Sequence, residues 1–203
     1  MTLQVWLLFC LTETALCLIP GPAVLYVVSA AIGRGVAPGI SAALGILAGN
    51  VLYFALSATG VAAVLLASGP LFNVLKLAGA GYLIWLGLRM LFKPAGGSAA
   101  ISATPDRQTF LRGVLVQTAN PKALVFFVAL LPQFINPNSA VGSQMVILGV
   151  SSVLIEFVVL GAYVVLAARA RELVGARLAD PLERIGGAFL VAVGAHLALL
   201  RSG

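Results

Sequence analysis

One histidine, His196, and two cysteines are the only imidazole and thiol groups in this 203-residue chain. There is no HExxH pair and no second pair of cysteines, so no metal-hydrolase or dithiol set can be assembled. Cys10 and Cys17 lie on one apolar run. Seven residues of helix rise about 10.5 Å, and a disulfide needs Cα atoms within about 7 Å. The two therefore cannot pair with each other, and they read as small apolar packing residues. Charge is scarce as well. Charged residues make up 9% of the chain, against about 25% in an ordinary soluble domain. Hydrophobic residues make up 61%, and the mean hydropathy is +1.10. The short alternating segments of a membrane barrel are missing, because the apolar runs are continuous. The first run, opening "MTLQVWLL", has no basic n-region and does not read as a secretory signal.

What is present is a set of long apolar runs at approximately 3–30, 38–67, 71–92, 113–133, 143–167 and 182–200. A helix needs roughly 20 such residues to span lipid. The runs predict an all-α membrane protein of six transmembrane helices. The net charge of +6 invites a nucleic-acid partner, but the positions of the basic residues argue against one. Arg34 falls between spans one and two. Arg89, Lys93, Arg107 and Arg112 fall between three and four, and Arg169, Arg171, Arg177 and Arg184 between five and six. The loops near Ser68 and Asn136 carry no Lys or Arg. Cytoplasmic loops carry the basic excess, so both termini are predicted outside.

Two echoes divide the chain. "IPGPAVLYVV", Ile19–Val28, resembles "ANPKALVFFV", Ala119–Val128, and "LAGAGYLIWLG", Leu77–Gly87, resembles "RIGGAFLVAVG", Arg184–Gly194. Span one then matches four, and three matches six. Each half has an odd number of spans, so the halves insert in opposite orientations. That is the inverted-topology repeat of many secondary transporters. The predicted organisation is a first three-span repeat over 1–92, a Gly/Ser/Ala/Pro-containing cytoplasmic linker over 93–112, and a second three-span repeat over 113–203, together one membrane domain.

Both members of the first echo contain helix breakers. Pro20, Gly21 and Pro22 are expected to break span one near mid-membrane, and Asn120 with Pro121 to break span four. Paired breaks at corresponding positions point to a transporter's binding site. The half-helix after each break would offer free N–H groups to a carboxylate. Ordinary proline kinks are the plainer alternative. Lys122 stands beside the second break, where a charge costs at least roughly 2.5–3.5 kcal/mol. An ion pair with Glu13 or Glu156 would explain it structurally. Glu156 lies within "SSVLIEFVVLGAYVV" on span five, and Glu13 shares a helix face with Pro20. Three unpaired charges in lipid would cost roughly 8–10 kcal/mol, so these groups must pair, neutralise or meet water. Asn50, Tyr53 and Ser57 form a polar stripe on span two, and Gly45 with Gly49 is a small-residue pair that favours close helix approach. His196, Tyr82 and Trp85 read as packing or interface residues.

The motifs "PGP" at Pro20–Pro22, "NPKA" at Asn120–Ala123, "PQF" at Pro132–Phe134 and "AGAGYLIWLG" at Ala78–Gly87 resemble the LysE/RhtB family of bacterial amino-acid exporters. The resemblance covers nearly the whole chain. It implies a multi-pass protein of the bacterial inner membrane that expels amino acids or related amines by proton exchange. It also implies an acidic residue on span five, here Glu156, while Glu13 is not a family feature. Asn50 stands where an aspartate can stand in relatives, which favours a neutral over a dibasic substrate. The expected substrate-binding residues are Lys122, Asn120, Pro20, Gly21, Pro22 and Asn50. Glu156 is the expected proton-coupling residue, with Glu13 as auxiliary. No enzyme activity, metal or other cofactor is expected, and the partners are amino acids, protons and the bilayer. Oligomeric state stays open, a homodimer among the options. A divalent-cation exporter of related fold is the competing reading, weakened by having only two embedded carboxylates and a lysine beside them.

Overall fold

A computed structural model of the chain describes residues 1–59, 69–92, 107–136, 138–174 and 179–199. Among these the protein is all helix, with eight α-helices and no strand. They are α1 (Leu3–Leu18), α2 (Pro22–Arg34), α3 (Val36–Ala58), α4 (Gly69–Leu91), α5 (Arg107–Thr118), α6 (Pro121–Val125), α7 (Val141–Val174) and α8 (Ala179–Leu199). A π-helical stretch, Phe126–Leu130, and a 3-10 turn, Leu131–Phe134, follow α6. The linker residues 93–106, the loop at Ser68 and the side chain of His196 lie outside the described residues.

Two helices, Val36–Ala58 and Val141–Arg171, are each long and apolar enough to cross a bilayer. α1 and α2 together make a third such segment, bent by 53° at their break. That bend falls where the proline pair predicts it. Ile19 and Gly21 are both extended, and Pro22 opens α2 where its missing N–H is not needed. The second break falls at Asn120, also extended, with Pro121 opening α6. Beyond it the chain does not resume a regular helix. Pro132 withholds a donor, and the backbone passes through π and then 3-10 geometry. α5 begins at Arg107, inside the segment read as linker. The reason is a clasp to α2: the Tyr26 hydroxyl donates to the Thr109 carbonyl at 3.0 Å, and the Arg34 guanidinium donates to the Thr109 hydroxyl.

Glycines set the closest helix contacts. A Cβ at Gly45 would strike the Phe110 carbonyl oxygen, and one at Gly49 would lie 2.7 Å from Gln117 Cβ, so α3 meets α5 nearly backbone to backbone. α4 and α8 do the same through Gly87 and Gly187. α2 is central, packed on α3, α5, α7 and α8, and its Val27 and Ala31 are fully buried. A second cluster, around Phe9, Phe54, Phe126, Phe127, Leu131 and Phe134, holds the irregular stretch after α6. There Phe127 stacks on Tyr53 at 4.8 Å and meets Phe54 edge-on. The outer faces are apolar: α7 exposes Val146, Val150, Leu154, Phe157 and Val158.

Candidate functional site

A break in a buried helix leaves carbonyls and N–H groups that need partners. The first break takes its partners from the second half of the chain. Lys122 Nζ donates to the Leu16 carbonyl at 2.8 Å and to the Ile19 carbonyl at 3.1 Å. Tyr163 of α7 donates its hydroxyl to the Leu18 carbonyl at 3.0 Å. The ammonium thus sits at the negative end of α1. At the second break, Tyr53 of α3 donates to the Thr118 carbonyl at 2.7 Å.

One alternative reading falls away here, and one sequence expectation needs correction. The alternative weighed for Lys122 was a structural ion pair with Glu13 or Glu156. Among the described residues it bonds to backbone carbonyls, and no salt bridge joins it to Glu13 or Glu156. The half-helix after the second break was to offer free N–H groups. Instead Asn120 caps it, its Oδ1 accepting from Lys122 N at 3.1 Å. A five-residue helix already capped by its own side chain is no anion site. The opening of α2 differs: Gly21 provides no side-chain cap. A Cβ on Gly21 would lie 3.8 Å from both Cε and Nζ of Lys122, so the ammonium reaches that opening.

From Asn120 a chain of buried amides runs toward the carboxylates. Asn120 Nδ2 donates to Gln117 Oε1 at 3.2 Å, and Gln117 Nε2 donates to Asn50 Oδ1 at 3.2 Å. Asn50 Nδ2 donates to Glu156 Oε2 at 2.8 Å and to Ser152 Oγ at 3.2 Å. Ser152 in turn donates its hydroxyl to Glu13 Oε1. Every amide points its donor the same way, from the second break toward the two carboxylates. Glu13, Asn50, Gln117, Asn120, Ser152 and Glu156 are all buried. Such a network holds together only if each member is satisfied, and here each one is.

Glu13, Cys17, Asn50, Gln117, Asn120, Lys122 and Glu156 line one cavity of about 40 Å³. That volume admits a water molecule but no amino acid. Of the residues expected from the sequence, Lys122, Asn120, Asn50, Glu156 and Glu13 come together there. Gly21 and Pro22 are buried next to it, with Gly21 against Lys122, whereas Pro20 is exposed at the corner of the bend. Glu13 is as integral as Glu156, being joined to it through Ser152 and Asn50. Sequence reasoning missed Gln117 and Ser152, and read Cys17 only as packing. The available signal for Cys17 was its place one turn after Glu13, where Sγ lies 3.9 Å from Oε1.

Paired helix breaks that converge on a charged, water-sized cavity are the arrangement of a secondary transporter. The LysE type translocator family model matches residues 14–201. The chain belongs to that family and is a transporter, not an enzyme. It is 34% identical over 205 residues to the homoserine/homoserine lactone efflux protein of Salmonella typhimurium, covering 99% of each chain. It is 31% identical over 193 residues to the leucine efflux protein of Salmonella choleraesuis, covering 91% of this chain and 90% of the other. An uncharacterized membrane protein of Vibrio cholerae is 30% identical over 205 residues, with both chains covered in full. No solved structure matches.

Proposed function

We propose that this protein exports small neutral amino acids from the cytoplasm in exchange for protons. In this reading it crosses the bacterial inner membrane six times, as two inverted three-span repeats, with both breaks near mid-membrane and both termini outside. The observation that carries the proposal is the meeting of Lys122, Glu13 and Glu156 on one cavity where the two breaks converge. The relatives named for homoserine and leucine efflux support a neutral substrate, and none of those names points to a divalent cation.

The chemistry follows from the groups present. Lys122 takes the substrate carboxylate, exchanging it for the carbonyls of Leu16 or Ile19, with the uncapped start of α2 beside it. Glu156, held by Asn50, takes either the substrate ammonium or a proton. Competition for that one carboxylate links the two flows. Glu13 holds the Ser152 end of the network and supplies the second negative charge. Since the cavity of about 40 Å³ is too small for an amino acid, loading requires the helices around the breaks to part. Rocking of one repeat against the other would open the site to each face in turn.

Efflux of labelled homoserine, leucine and lysine from loaded proteoliposomes, with and without a pH gradient, tests the reading. Gradient-stimulated export of homoserine or leucine, with little lysine, is the expected result. No movement of any amino acid overturns it.

A further inference from the structure

A second cavity, of about 530 Å³, lies between the C-terminal part of α2, the end of α4 and the start of α5. Its size falls within the range of small-molecule pockets. Arg34, Arg89 and Arg112 line it, and among the described residues no acidic side chain does. Three guanidinium groups around one concavity focus positive potential into it and concentrate anions there. Tyr26 and Ser29, both buried, take the lining inward along α2, so it is more than a rim of surface charge.

α2 joins the two cavities. Ala23 and Val24 line the small one and Tyr26 begins the large one, two residues further on, or about 3 Å of helix rise. The large cavity follows α2 to its C-terminal end at Arg34. The small one faces its N-terminal end, where Lys122 waits. A helix is negative at its C-terminus and positive at its N-terminus. A substrate carboxylate that leaves the arginines for Lys122 therefore moves toward the positive end of α2, where it is held more favourably.

We propose that this cavity is the loading vestibule of the transporter, in which Arg89 and Arg112 capture the carboxylate of the amino acid before it reaches Lys122. The proposal rests on the export reading above and adds the route of entry. Arg34 is already tied to Thr109 and serves to hold the wall. Arg112 donates to Gln108 at 3.4 Å, and the Arg89 guanidinium rests 5.5 Å over the Trp85 ring. A phosphate would suit the same groups, so an anionic lipid headgroup is the competing occupant.

The test compares the unaltered protein with the double variants Arg89→Gln/Arg112→Gln and Arg89→Lys/Arg112→Lys in proteoliposomes. Homoserine and leucine are the substrates, and each protein is placed in purely zwitterionic vesicles and in vesicles containing phosphatidylglycerol. For the Gln pair, KM should rise about tenfold with Vmax little changed. KM of the unaltered protein should increase with salt, and that dependence should flatten in the Gln pair. The Lys pair should restore KM, which separates lost charge from lost packing. The effect should be equal in both kinds of vesicle. An unchanged KM in the Gln pair overturns the vestibule while leaving the export reading intact. A shift confined to phosphatidylglycerol vesicles makes the headgroup the occupant and overturns it too. Lack of export by the unaltered protein overturns both readings together.

Discussion

Lys122 caps α1 from the other half of the chain: its Nζ lies 2.8 Å from the Leu16 carbonyl and 3.1 Å from that of Ile19. This explains why a lysine accompanies only the second of two similar breaks. One cation serves the first break structurally and is the candidate for the substrate carboxylate. Lys122→Gln is therefore expected to abolish export and also to loosen the α1–α2 junction. Removing the charged partner of the Leu16 and Ile19 carbonyls, which are only partly buried, costs about 1 kcal/mol. Efflux assays and thermal unfolding in detergent check both effects. Export at the original rate by the folded variant would remove Lys122 from the mechanism.

The two carboxylates are expected to separate by their coupling. Glu156→Gln mimics the permanently protonated form and should lose uphill export driven by a pH gradient. Glu13→Gln should keep a good part of it, because Ser152 can still bond to an amide oxygen. Export against a substrate gradient at several pH values is the measurement. Full gradient-driven export by Glu156→Gln would eliminate that residue, and loss confined to Glu13→Gln would move the proton path to α1.

Gln117→Leu interrupts the chain of amides between Asn120 and Asn50, leaving buried groups on both sides unsatisfied. At about 1–3 kcal/mol for such a loss, export should fall at least roughly tenfold while the protein still inserts. Retained activity would reduce Gln117 to a packing residue.

Cys17 is a built-in reporter, because it lines the cavity. In a Cys10→Ala background, a small methanethiosulfonate reagent should block export once turnover parts the helices around the breaks, and saturating homoserine or leucine should slow the block. Cys17→Ala should be immune. Equal reaction rates with and without substrate would place the binding site elsewhere.

The glycine contacts predict a steric effect. Gly49→Val puts bulk where a Cβ alone would come within 2.7 Å of Gln117 Cβ. Overpacking of this kind costs typically about 1–3 kcal/mol. It would also push Gln117 away from Asn50. Lower thermal stability together with reduced export is expected, whereas Gly142→Val, with nothing within 4 Å of its added Cβ, should be silent on both counts.

What could be read in advance divides along physical lines. Pro20, Pro22 and Pro121 act on their own backbone, so both breaks were legible without a neighbour in view. Lys122 and Glu156 stood out because isolated charges are expensive in an apolar run. Direction was not legible. Composition says that Lys122 needs a partner, but only packing decides between a carboxylate on α7 and the carbonyls ending α1. Gln117 and Ser152 escaped notice for a related reason. Neutral polar residues are tolerated throughout such helices; the role of Gln117 comes from α3 approaching α5 at Gly45 and Gly49, and that of Ser152 from α7 packing on α1 and α3. The irregular path through "FFVALLPQF" was also hidden, since its apolar content suits a helix and only the buried ring cluster shows where it bends.

The bond between Lys122 and α1 spans 103 residues of sequence at Ile19 and 106 at Leu16. At about 5–20 residues per second, a ribosome needs roughly 5–20 s to make the lysine after it has made the end of α1. For that interval the newborn first helix ends in carbonyls with no cation to close them. Water at the insertion machinery must serve in its place, and α1 cannot settle in its final pose until more than half of the chain has been synthesised.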